Sequence, residues 1–244
     1  MRVLKYMALA FIFIGLNACA ADRNILWNKI HLQCVQNYLD KDVYAPCALV
    51  DLDKNYTIYK VDGEKYPYLL LPVQKISGIE DAQLLSSGAL NYFYLAWQSR
   101  TFLTSALERS LAERNISLAI NAANARSQDQ LHIHISCLSQ EVGAVLARVN
   151  FDEADSEWRA LPEKINGHIY YSKKINMDEL RNENLFQVIN SKVVADGTQM
   201  AYTGAALVNV GINKFVVLVA SGTAEQGISA EEIQDPQCKI ASGL

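Results

Sequence analysis

The 244-residue chain has no lysine- or arginine-rich stripe, since its 22 basic residues are scattered among 26 acidic ones for a net charge of −4. That balance argues against nucleic acid as a partner. No proline-, glycine- or serine-rich stretch marks a domain boundary and no repeat is visible. One substantial core is therefore expected, with at most a small appendage. Long apolar runs are missing too. The strongest, Met7 to Leu16, falls short of the ~17 residues usually needed to cross the hydrocarbon core. Cysteine is limited to five residues and histidine to four.

What stands at the N-terminus is a charged start (Arg2, Lys5), the apolar stretch and the small-residue segment Asn17-Ala18-Cys19-Ala20-Ala21. This is the layout of an export signal over residues 1–20. Three endings are open: cleavage after Ala-x-Ala, lipidation at Cys19, or retention as an anchor. Each puts the folded part outside the cytoplasm. Without Arg2 and Lys5, 20 basic against 26 acidic residues leave a net charge of −6. Four cysteines remain, an even number that suggests two disulfides in an oxidising compartment. Three pairings are formally possible. Cys34 with Cys47 is favoured as a short staple, and Cys137 with Cys238 as a tie between a central strand and the C-terminus. A nucleophilic role for Cys137 beside His134 is the weaker reading, because four cysteines pair off evenly.

Half of the histidine lies in one apolar run, Leu131-His132-Ile133-His134-Ile135-Ser136-Cys137. On a strand, residues i and i+2 share a face, so both imidazoles point the same way while Leu131, Ile133 and Ile135 anchor the other side. Imidazole can attack phosphorus, pass a proton or hold a metal near neutral pH. A wet edge strand is the bland alternative.

Around this strand the pattern predicts a helix over 22–40 and strands over 56–62 and 67–73 joined at Asp62-Gly63-Glu64-Lys65. A long helix follows over 83–113, then a strand over 115–121 running antiparallel to the histidine strand. A helix over 139–156 comes next. Hairpin strands Ala205–Val210 and Lys214–Ala220 precede a short last helix with a Ser229/Glu232 capping box. The dense aromatic set Tyr92, Phe93, Tyr94 and Trp97 reads either as core or as a surface for acyl chains or a base. His31 reads as surface or packing.

Asn121, Ser127, Gln128 and Gln130-Leu131-His132-Ile133-His134-Ile135 resemble the signature of the histidine-triad nucleotide hydrolases and transferases. A closer resemblance, to the bacterial CDP-diacylglycerol pyrophosphatases, is carried by the leader, Leu70-Leu71-Pro72, Asn91-Tyr92-Phe93-Tyr94-Leu95-Ala96-Trp97-Gln98, His132-Ile133-His134-Ile135-Ser136-Cys137, Gly167-His168-Ile169-Tyr170 and Ala230-Glu231-Glu232-Ile233-Gln234-Asp235. It spans nearly the whole chain. The resemblance implies an α+β, histidine-triad-like fold over 21–244, a mainly antiparallel sheet packed by helices. It implies cleavage of CDP-diacylglycerol to CMP and phosphatidate without metal or cofactor. The partners it implies are CDP-diacylglycerol and a membrane lipid surface. With the leader, it implies a location at the bacterial inner membrane with the catalytic domain on the periplasmic side.

By position, the family's attacking histidine falls on His132, and the histidine that contacts the phosphate and helps the leaving group falls on His134. The first histidine of the triad is replaced by Gln130, which can donate and accept hydrogen bonds but cannot carry a proton or a charge. Ser127 and Asn121 are expected to donate to non-bridging oxygens. Lys75 is the candidate for neutralising diphosphate charge, at a place where many triad proteins carry another histidine. His168 either closes the pocket or is structural.

Three other functions stay open. A zinc site on His132 and His134 lacks a third ligand at conventional spacing. A hydrolase of other nucleotide diphosphates and a non-catalytic CDP-lipid or nucleotide binder are equally compatible with the residue types. Oligomeric state is not legible.

Overall fold

The computed structural model describes residues 22–151 and 157–241. The leader expected over 1–20 lies outside them, as do 152–156 of the helix expected over 139–156. Ten strands form one sheet: β1 (Leu49–Asp51), β2 (Tyr56–Lys60), β3 (Tyr68–Pro72), β4 (Ile116–Ile120), β5 (Ile133–Leu138), β6 (Arg159–Ala160), β7 (Tyr171–Asn176), β8 (Thr203–Gly211), β9 (Lys214–Ser221) and β10 (Gln234–Asp235). Their order is β1-β2-β3-β5-β4-β8-β9-β7-β6, with β10 also paired to β5. Every pairing is antiparallel. The architecture is α+β, a mainly antiparallel sheet packed by helices.

β5 sits at the centre because its register is satisfied on both edges. His134 lies opposite Leu69 of β3 and Ala119 of β4, and β10 takes up Cys137 and Leu138 where β3 leaves off. Alternation then sorts its side chains. Ile133, Ile135 and Cys137 enter the large core with Phe93, Trp97, Leu103 and Phe186. The opposite face carries His132, His134, Ser136 and Leu138. That face has two separate covers. The N-terminal helix, through Leu26, Ile30 and Val35, packs on β1–β3. Helix Gln140–Ala147 and the 3-10 turn Ala230–Ile233 pack over Leu138 and the β8–β9 side.

The N-terminal helix runs from Ile25 to Lys41 with a π-helical turn at Ile30–Val35 and ends at Asp42, which takes φ 54°. Ile25 and Leu32 on this helix are exposed, while Leu26, Ile30 and Val35 face the sheet. The helix expected over 83–113 is broken into a 3-10 turn Ala82–Leu85 and helices Tyr92–Gln98 and Thr101–Leu107. Polar side chains cut it, as short side chains at such places compete with the helical ladder. Asn91 caps Tyr94 N at 3.0 Å, Ser99 Oγ donates back to the Leu95 carbonyl at 2.9 Å, and Glu108 ends the last piece with φ 54°. The Ser229/Glu232 capping box does not form, because Ser229 Oγ donates to Asn121 Oδ1 and the Glu232 carboxylate turns to His168 and Tyr170. The hairpin holds, longer at both ends than expected. Both favoured disulfides, Cys34–Cys47 and Cys137–Cys238, are present.

The inner-membrane placement is corrected. Among the described residues, no helix is long and apolar enough to cross a membrane.

Candidate active site

His132 and His134 point into a cavity of about 500 Å³ in the gap between the two covers. Their rings meet edge to face with centroids 4.9 Å apart. Leu26, Val61, Pro67 and Leu69 make one wall, and Ser127, Ser136, Glu231 and Gln234 supply polar groups on the other sides. Tyr59 and Asp62 stand at the same cavity, joined by a 2.5 Å hydrogen bond from the tyrosine hydroxyl to Asp62 Oδ1, with Lys29 bonded to both.

His132 is buried, and its Nδ1 lies 2.6 Å from the backbone carbonyl of Gln130. A carbonyl can only accept, so Nδ1 carries the proton and Nε2 keeps its lone pair. Burial pushes the His132 pKa down, and the neighbouring His134 adds to this. The Gln130 carbonyl and Glu231 oppose it, and the result is about 4. The ring is therefore neutral at physiological pH.

His134 has a different partner. Its Nδ1 is 2.7 Å from Glu231 Oε1, while its Nε2 is buried and has no hydrogen-bond partner among the described residues. Burial by itself would raise Glu231. The hydrogen bond and charge interaction with His134, together with the Asn121 amide, outweigh it and hold the carboxyl at about 2. Asn121 donates from Nδ2 to Glu231 Oε2 at 2.6 Å and accepts from the Glu231 backbone N–H at 3.2 Å.

The loop that forms one rim is held by ions. Arg126, with only 4% of its side chain exposed, grips both oxygens of Glu80 at 2.7 Å and reaches Asp129 at 3.0 Å. Arg23 clasps Asp129 from the other side at 2.7 and 2.8 Å. Gln128 Oε1 accepts from Leu26 N at 2.8 Å, which docks the N-terminal helix onto the same loop.

The sequence profile of the CDP-diacylglycerol pyrophosphatases matches residues 21–242. The chain belongs to the CDP-diacylglycerol pyrophosphatase family. Among curated relatives, a probable CDP-diacylglycerol pyrophosphatase of Mycobacterium leprae is 42% identical over 228 residues, covering 93% of this chain and 85% of the relative. The CDP-diacylglycerol pyrophosphatase of Mycobacterium tuberculosis strain H37Ra is 40% identical over 224 residues, covering 92% and 86%. That of Yersinia pestis is 35% identical over 226 residues, covering 92% and 87%. A solved structure of a DUF4931 family protein from Bacillus cereus aligns with a TM-score of 0.42 at 10% identity, over 80% of this chain and 95% of that one, too distant a likeness to bear on either chain.

The structure brings His132, His134 and Ser127 of this chain to one cavity and leaves others of the expected set apart. Gln130 is fully buried beside His132, but its side chain turns away to donate to the Pro72 and Gln74 carbonyls at 3.0 and 3.1 Å. Asn121 reaches the histidines only through Glu231. Lys75 does not line the cavity; its ammonium bonds Asn24 Oδ1 and lies 5.6 Å from the Trp27 ring centroid. His168 faces a separate cavity with Lys164, Thr198 and Ser221, and its Nδ1 is 2.9 Å from Glu232 Oε1. Tyr92, Phe93 and Trp97 are buried in the core, and His31 is exposed and stacks on Trp27 at 4.7 Å.

Glu231 and Ser136 are the site residues that the sequence reading missed. Ser136 follows from the period-two rule that found His132 and His134, two residues further along the same face. Its hydroxyl is buried without a partner among the described residues. Glu231 gave no local signal, because only the tertiary fold carries the Ala230–Ile233 turn over β5.

Proposed function

We propose that the chain hydrolyses CDP-diacylglycerol to CMP and phosphatidate through a cytidylyl group carried transiently on His132. The observation that supports this most is the 2.6 Å contact of His132 Nδ1 with the Gln130 carbonyl. It commits one ring nitrogen as a donor and leaves Nε2 as the nucleophile, on a ring that burial keeps neutral. Nε2 attacks the α-phosphorus, and the bond to the bridging oxygen breaks with its electron pair leaving on phosphatidate. Water then attacks the same phosphorus and returns His132. A diphosphate already contains a good leaving group, so in-line positioning and donors to the developing charge suffice. The Ser136 hydroxyl and Ser127 are the donors available around the cavity, with the His134 ring beside them.

The finer fold reading is histidine-triad-like, with Gln130 in the place of the first histidine and its hydrogen bonds spent on the backbone. The second product carries two acyl chains, so the substrate is met at a lipid surface. The test compares CMP or nucleotide release from CDP-diacylglycerol, CDP-choline and ADP-ribose, with and without exhaustive chelation. The reading expects CDP-diacylglycerol to be preferred and turnover to survive the chelator. Equal rates on all three would point to a general nucleotide diphosphate hydrolase. Saturable binding without CMP release would make the chain a binder.

A further inference from the structure

We infer that Glu231 is a positioning residue for this reaction: held by Asn121, its carboxylate keeps the His134 proton on Nδ1 and leaves Nε2 with its lone pair to take a proton from the attacking water. The chemistry rests on the reading of His132 as nucleophile, whereas the proton placement stands on geometry alone. Asn121 is oriented by its acceptor side. Its Oδ1 takes the Glu231 backbone N–H at 3.2 Å and the Ser229 hydroxyl at 3.4 Å, which turns Nδ2 toward Glu231 Oε2 at 2.6 Å. The other carboxylate oxygen is thereby aimed at His134 Nδ1, 2.7 Å away. The turn that bears Glu231 is itself anchored, with Ala230 and Ile233 fully buried and Gln234 paired to Leu138 of the histidine strand.

The titratable groups facing this cavity are His132, His134, Tyr59, Asp62, Glu64 and Glu231. Among the described residues, only Glu231 is within hydrogen-bond reach of a His134 ring nitrogen. In the first step the P–N bond to His132 forms and the P–O bond breaks, its electron pair leaving on the phosphatidate oxygen, which departs as a phosphate anion and needs no proton. In the second step water adds to phosphorus, the P–N pair returns to His132, and one water proton goes to His134 Nε2. The other stays with the phosphate of CMP, and His134 Nε2 then gives its proton up to solvent. Nδ1 keeps its proton on Glu231 throughout, so only one nitrogen moves protons.

Glu231→Gln tests this sharply. The new amide cannot face its NH2 toward the NH2 of Asn121, so it turns that NH2 to His134 Nδ1, which must then accept, and the ring proton moves to Nε2. Ring-nitrogen NMR of protein labelled in histidine, with His134 identified by loss of its signals in His134→Gln, reads the proton directly. The expected result is an Nδ1–H tautomer of neutral His134 in the parent and an Nε2–H tautomer in Glu231→Gln. With CDP-diacylglycerol in detergent micelles, Glu231→Gln is expected to lose ~100-fold in kcat with KM within about 3-fold, and to accumulate the cytidylyl adduct because Nε2–H cannot take a proton from water. Glu231→Asp should retain the Nδ1 proton and most of the turnover. An Nε2–H tautomer in the parent, or parental kcat in Glu231→Gln, overturns the inference. An Nδ1–H tautomer in a parent that forms no adduct on His132 overturns only the nucleophile reading. If Glu231→Gln does not fold, the parent tautomer and the aspartate variant decide.

Discussion

Gln130 serves His132 with its backbone and the sheet with its side chain. Its carbonyl takes the Nδ1 proton of His132 at 2.6 Å, while its amide donates to Pro72 and Gln74 at the end of β3. Gln130 thus ties two strands together and presents the carbonyl that orients the His132 ring. A charge at that position is not required for either task.

Gln130→His is accordingly expected to give no gain in rate. An imidazole nitrogen cannot donate to two carbonyls as the amide does, and leaving one buried carbonyl without its donor costs about 1–2 kcal/mol. Thermal unfolding beside steady-state turnover checks this. A variant that is both faster and no less stable would show that the missing histidine limits this enzyme.

Stability should fall on acidification in two windows. His132 in the folded state titrates at about 4, below its ordinary value of 6.5, so the unfolded chain takes the proton first. The contribution is complete above about 6.5 and is lost as pH falls toward 4. Glu231, at about 2 against 4.5, adds a second loss between those values. The unfolding midpoint of His132→Gln should therefore fall less than the parent's between about pH 6.5 and pH 4. Parallel curves would mean that His132 is not held neutral.

How much of this was legible follows from range along the chain. The period-two run of β5 declares its own two faces, which is why the shared face of His132 and His134 and the β4 pairing read correctly, while the hairpin expected over 205–210 and 214–220 was legible from its own turn. Even cysteine usage, with one short link, favoured among three possible pairings the two disulfides that are present. The pattern over 83–113 does not form one helix because apolar spacing continues across Asn91 and Ser99, whose side chains bond backbone groups and mark the start and the end of helix Tyr92–Gln98. Lys75 and His168 were placed by chemistry of residue type, and the fold assigns them to Asn24 and Glu232. Glu231 lies in a segment notable only for the family resemblance, and nothing short of the sheet topology brings it to His134.

Gly78 should not tolerate alanine. A Cβ there would lie 2.3 Å from Arg126 Nη1, displacing the guanidinium that grips Glu80. Gly78→Ala is expected to cost about 1–3 kcal/mol and to raise KM by moving the Ser127 rim. Arg126→Lys should behave similarly, since an ammonium cannot make the paired bonds. Unchanged KM in both variants would uncouple the rim from substrate binding.

Loss of the Cys137–Cys238 bridge, which closes a separation of 101 residues, is expected to cost about 2–5 kcal/mol. Because Cys238 follows β10, the double variant Cys137→Ala/Cys238→Ala should also loosen the turn that bears Glu231. Turnover should then fall even where the protein stays folded. Full activity at a lowered unfolding midpoint would confine the bridge to stability.

The central claim is tested most directly by rapid quench with CDP-diacylglycerol labelled in the cytidine phosphate, followed by peptide mapping under conditions that preserve acid-labile phosphoramidates. The label should appear on His132 within a turnover, vanish in His132→Ala together with nearly all CMP release, and still form slowly in His134→Ala. Label on any other residue, or undiminished capture in His132→Ala, would contradict the account.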